Sequence, residues 1–240
     1  MPLQSGLQGH DLMRVLYLHG FASSPQSSKA RFFAKKLADK GIAFDAPDLN
    51  EPHFSTLTVT RMLKQAGAAI DAHSDPVAII GSSLGGFVAV QAALSYPRVQ
   101  RVVLLAPALD FDPSEIAGGS RAVSDEPGGP LSRLGDRGLA AWRSSNRLDV
   151  FHYGYGRMMS VQYDLYADAA RYSAVDAALT QPVQVFQGRR DTAVDPSTVE
   201  RWAAARPNVE LHMLDDDHQL HASLDYIWRE MDRFLHQQIP

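Results

Sequence analysis

The stretch Val77-Ala78-Ile79-Ile80-Gly81-Ser82-Ser83-Leu84-Gly85-Gly86 sets two patterns end to end. Val77 to Ile80 is an unbroken apolar run, short enough for a buried strand. After it, Phe87-Val88-Ala89-Val90-Gln91-Ala92-Ala93-Leu94 reads as a buried helix. Between them lies Gly-x-Ser-x-Gly, centred on Ser83. A serine on a sharp strand-to-helix turn is pushed out at the carboxyl edge of a sheet, on strained backbone. Side chains two residues to either side would collide with neighbouring elements, which accounts for Gly81 and Gly85. The helix that follows offers free N–H groups and its positive dipole end beside Ser83, where an oxyanion would be stabilised. The competing reading of the same pattern is a glycine-rich structural turn.

The chain has 240 residues, 45% of them hydrophobic, and a net charge of −4 with no long run of either sign. That suits one sizeable globular core. Nothing favours nucleic acid or an anionic membrane as a partner. The absence of cysteine excludes disulfides, a cysteine nucleophile and a thiolate zinc site. Met1 to Met13 is polar, without the apolar core of a signal peptide, and no stretch approaches membrane-spanning length. A cytoplasmic protein without membrane insertion is expected.

Working outward, strands are expected at Arg14 to Leu18, Ile42 to Asp45, Arg101 to Leu105, Val183 to Gln187 and Val209 to Leu214. Helical spacing joins Ala30, Phe33, Ala34 and Leu37, then Val59, Met62, Leu63, Ala66 and Ile70. It returns at Leu224, Ile227, Trp228, Met231, Phe234 and Leu235. Asp195-Pro196 reads as a helix cap with proline in the first turn. Strands alternating with helices argue for an α/β fold, a doubly wound and mostly parallel sheet covered on both faces. In such sheets the chemistry sits beyond the carboxyl ends of the strands. His19-Gly20-Phe21, Ser83, Asp191 and His218 all fall there.

A serine hydroxyl needs a base, usually a histidine held by a carboxylate. Ser83, Asp191 and His218 each follow a predicted strand and occur in an order known for such sites. Ser82 competes with Ser83 but does not centre the glycine pair. His221, read at the start of a helix, competes with His218. Asp195, better read as a cap, competes with Asp191. His212 lies inside a strand, and His19 is more suited to ordering its loop than to reacting. The histidines and aspartates are too scattered to suggest a metal site.

Two stretches carry a family likeness: Leu16-Tyr17-Leu18-His19-Gly20-Phe21-Ala22-Ser23-Ser24-Pro25-Gln26-Ser27-Ser28-Lys29-Ala30 and Ile79-Ile80-Gly81-Ser82-Ser83-Leu84-Gly85-Gly86-Phe87. The chain resembles an α/β-hydrolase, specifically the small bacterial YqiA-type serine esterases. The resemblance implies a six-stranded parallel sheet that starts at the superfamily's third strand. It implies catalytic Ser83, Asp191 and His218, an oxyanion hole from the N–H groups of Phe21 and Leu84, and no cofactor. The expected activity is hydrolysis of small or medium carboxylic esters through an acyl-enzyme. A thioesterase, an amidase or peptidase, a carbon–carbon hydrolase and a non-catalytic ligand sensor remain alternatives.

Residues 110–178 break the pattern, being dense in glycine, proline and charge, then in aromatics. So long a stretch should have its own structure. It is expected to form a cap inserted into a single domain spanning residues 1–240. Tyr153, Tyr155, Met158 and Tyr163 are its candidate substrate contacts, against the alternative that these rings only pack the cap's underside. The oligomeric state is not legible.

Overall fold

The computed structural model describes residues 13–109 and 135–237. Six parallel strands form the central sheet: β1 (Arg14–Leu18), β2 (Phe44–Asp45), β3 (Val77–Ser82), β4 (Val99–Leu105), β7 (Val183–Gly188) and β8 (Val209–Leu214). Their order is β2-β1-β3-β4-β7-β8. Buried on both faces, β3 reads as an apolar run rather than an alternation. The expected strand at residues 42–45 pairs with β1 only through Phe44 and Asp45.

Alternate residues of each strand feed opposite cores. Val15, Tyr17, Ala78, Ile80, Val103, Leu105 and Phe186 meet α1 (Ser28–Ala38) and the last helix, α7 (Leu224–His236). Leu16, Leu18, Ile79, Val102, Leu104, Val183 and Val185 face the other way. There they meet α2 (Val59–Asp71), α3 (Leu84–Ser95) and α6 (Pro196–Ala204). Asp195 caps α6, accepting from Ser197 N at 3.0 Å, with Pro196 in the first turn.

The excursion between β4 and β7 contains, among the described residues, α4 (Gly135–Ser145), a hairpin of β5 (Leu148–His152) and β6 (Arg157–Val161), and α5 (Asp164–Ala169). Trp142 is buried, donates to the Val161 carbonyl at 3.0 Å, and packs edge-on against Tyr163 and Tyr166. Asp168 anchors the excursion to the sheet's helices. Its carboxylate accepts from Thr60 N at 2.6 Å and Thr60 Oγ1 at 2.7 Å, at the positive end of α2. Gly118, Gly119, Gly128 and Gly129, in the glycine-dense part of this segment, lie outside the described residues. No helix among the described residues is long and apolar enough to cross a membrane.

Candidate active site

Ser83 sits between β3 and α3 with φ +53° and ψ −120°, a conformation that L-residues avoid. The close packing behind it explains why this turn takes glycines. A Cβ on Gly81 would lie 2.5 Å from the Gly85 carbonyl oxygen. One on Gly85 would lie 2.1 Å from the carbonyl oxygen of Leu18. The turn thus wedges against the end of β1, and Gly20 runs directly over Ser83. Among the described residues neither the Phe21 N–H nor the Leu84 N–H has a hydrogen-bond acceptor. Leu84 opens α3, so its N–H carries the positive end of that helix.

The structure brings Ser83, His218 and Asp191 together. His218 Nε2 lies 3.1 Å from Ser83 Oγ, and His218 Nδ1 lies 2.8 Å from Asp191 Oδ2. Asp191 is buried and, among the described residues, accepts from four donors. Ala193 N and Val194 N reach Oδ1 at 2.8 and 2.9 Å, while Gln187 Nε2 and His218 Nδ1 reach Oδ2. Burial alone would raise its carboxyl, but the bonds from His218, Val194 and Gln187 outweigh that and hold it below the usual range. The His218 loop is clamped by Asp216, which is buried and accepts from Asp217 N at 2.8 Å and Ser223 N at 2.9 Å.

The competing residues are placed elsewhere. His221 is bonded to Ser28 Oγ at 2.7 Å and precedes α7 instead of starting it. His212 stacks on Phe186 and bonds Glu210 at 2.7 Å. His19 accepts from Leu49 N at 3.0 Å through Nε2, so its Nδ1–H donates to the Gly20 carbonyl at 2.9 Å. It ties the loop above Ser83 to the loop that follows β2.

Of the expected cap contacts, Tyr153 and Met158 stand exposed on the hairpin at 65% and 62%. Tyr155 donates to Asp48 Oδ2 at 3.1 Å, and Tyr163 packs against Trp142 and Tyr166. The hairpin turn rests on the loop after Phe21: Gly154 N donates to the Ala22 carbonyl at 3.4 Å. An aromatic column links the two. Phe21 meets Phe54 at 5.4 Å, Phe54 meets the buried His152 at 4.7 Å, and His152 stacks on Tyr155 at 4.1 Å. Burial pushes the His152 imidazole down to about 4. Asp48 is held at about 2, its burial outweighed by the bonds it accepts from Asn50 N and the Tyr155 hydroxyl.

Sequence reading alone did not single out His152, Gln187 or Lys29. The hairpin was signalled by alternation in Leu148-Asp149-Val150-Phe151-His152 before the turn Tyr153-Gly154-Tyr155-Gly156. Lys29 left no local signal. It lies buried in the first turn of α1, where burial pulls its ammonium down to about 8 against the charges of Asp191, Asp217 and Asp216. Among the described residues no cluster of three or more His, Asp or Glu is placed to hold a metal ion.

Residues 14–118 match the sequence profile of the YqiA-type family, described as "Uncharacterised protein family (UPF0227)". No curated protein matches the chain in sequence. Similar folds occur among solved structures. Alpha/beta hydrolase domain-containing protein 10 from mouse is 18% identical, with a TM-score of 0.73 over 92% of this chain and 88% of its own. The chain has an α/β-hydrolase fold. Other chains similar to this α/β-hydrolase fold carry esterase names. Est1E from Butyrivibrio proteoclasticus, solved with ferulic acid bound, is 18% identical, with a TM-score of 0.72 over 93% of this chain and 88% of its own. The Pyrococcus furiosus esterase Pf2001 is 18% identical, with a TM-score of 0.62 over 93% of this chain and 80% of its own.

Proposed function

We propose that this chain is a serine hydrolase that cleaves small or medium carboxylic esters through an acyl-enzyme. One observation carries the reading: the unbroken hydrogen-bonded series from Ser83 Oγ through His218 to the buried Asp191. Ser83 Oγ attacks the ester carbonyl while His218 Nε2 takes its proton. Asp191 fixes the imidazole with Nδ1–H toward the carboxylate and stabilises the imidazolium that forms. The carbonyl oxygen, now an anion, accepts from the N–H groups of Phe21 and Leu84. Collapse expels the alcohol, which takes the proton back from His218. Water then repeats the sequence on the acyl-enzyme and releases the acid.

The esterase names of the fold neighbours support an ester in preference to another acyl compound. In this reading the chain is one domain, and residues 110–178 form its cap. The hairpin's seat on the loop after Phe21 supports that placement. Tyr153, Tyr155, Met158 and Tyr163 would then shape the acyl or alcohol pocket from the cap side.

The test is a panel of p-nitrophenyl esters of increasing acyl length, run beside thioesters and amino-acid anilides, with fluorophosphonate labelling in parallel. Ester turnover that disappears in Ser83→Ala, with the label on Ser83, supports the proposal. A folded protein that neither labels nor turns over any substrate of the panel is a ligand sensor, and the proposal is then wrong.

A further inference from the structure

Gln187 is the penultimate residue of β7, just before Gly188, and is fully buried. Its amide nitrogen faces two acceptors, the Gly188 carbonyl at 3.1 Å and Asp191 Oδ2 at 2.9 Å. This orientation is forced. The flipped amide would set Oε1 against both oxygens and repel each. The consequence is a buried Oε1 with no hydrogen-bond partner among the described residues. For packing alone a methionine would serve this place better, with no orphaned acceptor.

The bond to Asp191 explains the amide. Oδ1 of that carboxylate is held by the N–H groups of Ala193 and Val194. Among the described residues Oδ2, the oxygen that accepts from His218, is held otherwise by Gln187 alone. With both edges pinned, the carboxylate plane is set before His218 needs it. Building on the serine-hydrolase reading above, we propose that Gln187 is a positioning residue. By donating to Asp191 Oδ2 it fixes the carboxylate edge that orients His218 and favours the ionised form of Asp191. Gln187 has no exposed surface, so it acts on the chemical step and not on substrate binding.

The test compares the full chain with Gln187→Met, which keeps length and bulk without the donor, and with Gln187→Leu as a second apolar replacement. Two quantities are read. One is kcat and KM on a p-nitrophenyl ester. The other is the titration of the Asp191 carboxyl carbon by carbon-13 NMR, its signal assigned with Asp191→Asn. Loss of the donor should lower kcat about tenfold with KM within about twofold. It should also move the Asp191 titration to higher pH, because the ionised carboxylate has lost a hydrogen bond. A lower melting temperature with kcat and the Asp191 titration both unchanged overturns the proposal and leaves Gln187 a packing residue. If the wild type hydrolyses no ester, the serine-hydrolase reading falls, and the Asp191 titration still decides the role of Gln187.

Discussion

Ser28 Oγ and His221 Nε2 lie 2.7 Å apart, joining the first residue of α1 to the loop that follows β8. The bond commits His221 Nε2 to α1. Three residues earlier on the same loop, His218 reaches Ser83 at 3.1 Å. Chain position favours His218, in the loop just past the last strand, over His221 three residues on. Packing of α1 against the loop separates them.

The first prediction follows from that separation. His221→Ala should keep ester turnover within about twofold and change stability by no more than about 0.5 kcal/mol, since its bond is exposed. His218→Ala should lose several powers of ten in kcat. An active His218→Ala beside an inactive His221→Ala would reverse the assignment.

Ser83 is half-buried and holds φ +53° at the turn that presents its hydroxyl to His218. Ser83→Ala should abolish turnover yet keep the strain. Ser83→Gly should abolish turnover and relieve it, making it the more stable of the two by about 1 kcal/mol or more. Thermal unfolding of the two inactive variants checks this. Equal melting temperatures would mean that the turn is not strained.

Gly85 and Gly41 make a matched pair of glycines. A Cβ on Gly85 meets main-chain atoms of Leu18 and His19 that cannot yield, the nearest at 2.1 Å. Gly41 has φ +70° but open space around it. Gly85→Ala should therefore cost about 3 kcal/mol or more, and Gly41→Ala about 1 kcal/mol from backbone strain alone. Urea unfolding measures both, and a mild Gly85→Ala would show that α3 can shift away from β1.

Lys29 supplies the pH prediction. Its ammonium is pulled from 10.5 to about 8, chiefly by burial. Between those pH values the unfolded chain holds a proton that the folded chain has released, so stability from this group rises with pH across the window. Below about pH 8 the cost of the buried charge is full, on the order of 3 kcal/mol. Lys29→Met should be more stable than wild type at pH 7, and its advantage should vanish by about pH 10.5. Unfolding free energies at the two pH values decide it. A variant less stable than wild type at pH 7 would mean that Lys29 is held by attraction stronger than its desolvation.

Much of the architecture was legible in the chain because it rests on local periodicity. Val77 to Ile80 is a strand as its apolar run requires, and Val209 to Leu214 is the last strand, as expected. The last helix buries Ile227, Trp228, Met231, Phe234 and Leu235 on the stripe their spacing draws. Gly81, Ser83 and Gly85 announce the sharp turn because its sterics admit few other residues. The order Ser83, Asp191, His218 was likewise readable, each residue lying just past a strand of a parallel sheet.

Other features depend on contacts that no local pattern encodes. Gln187 looks like any strand-end residue until Asp191 folds back to meet it. His152 sits on a hairpin whose partner, the column from Phe21 through Phe54, comes from the far end of the chain. Lys29 lies on a helix whose spacing gives no hint that its ammonium is buried near carboxylates of two distant loops. Periodicity and turn sterics act over a few residues and are written in the sequence itself. Which amide steadies the carboxylate and which ammonium loses its water depend on elements brought together only when the sheet closes.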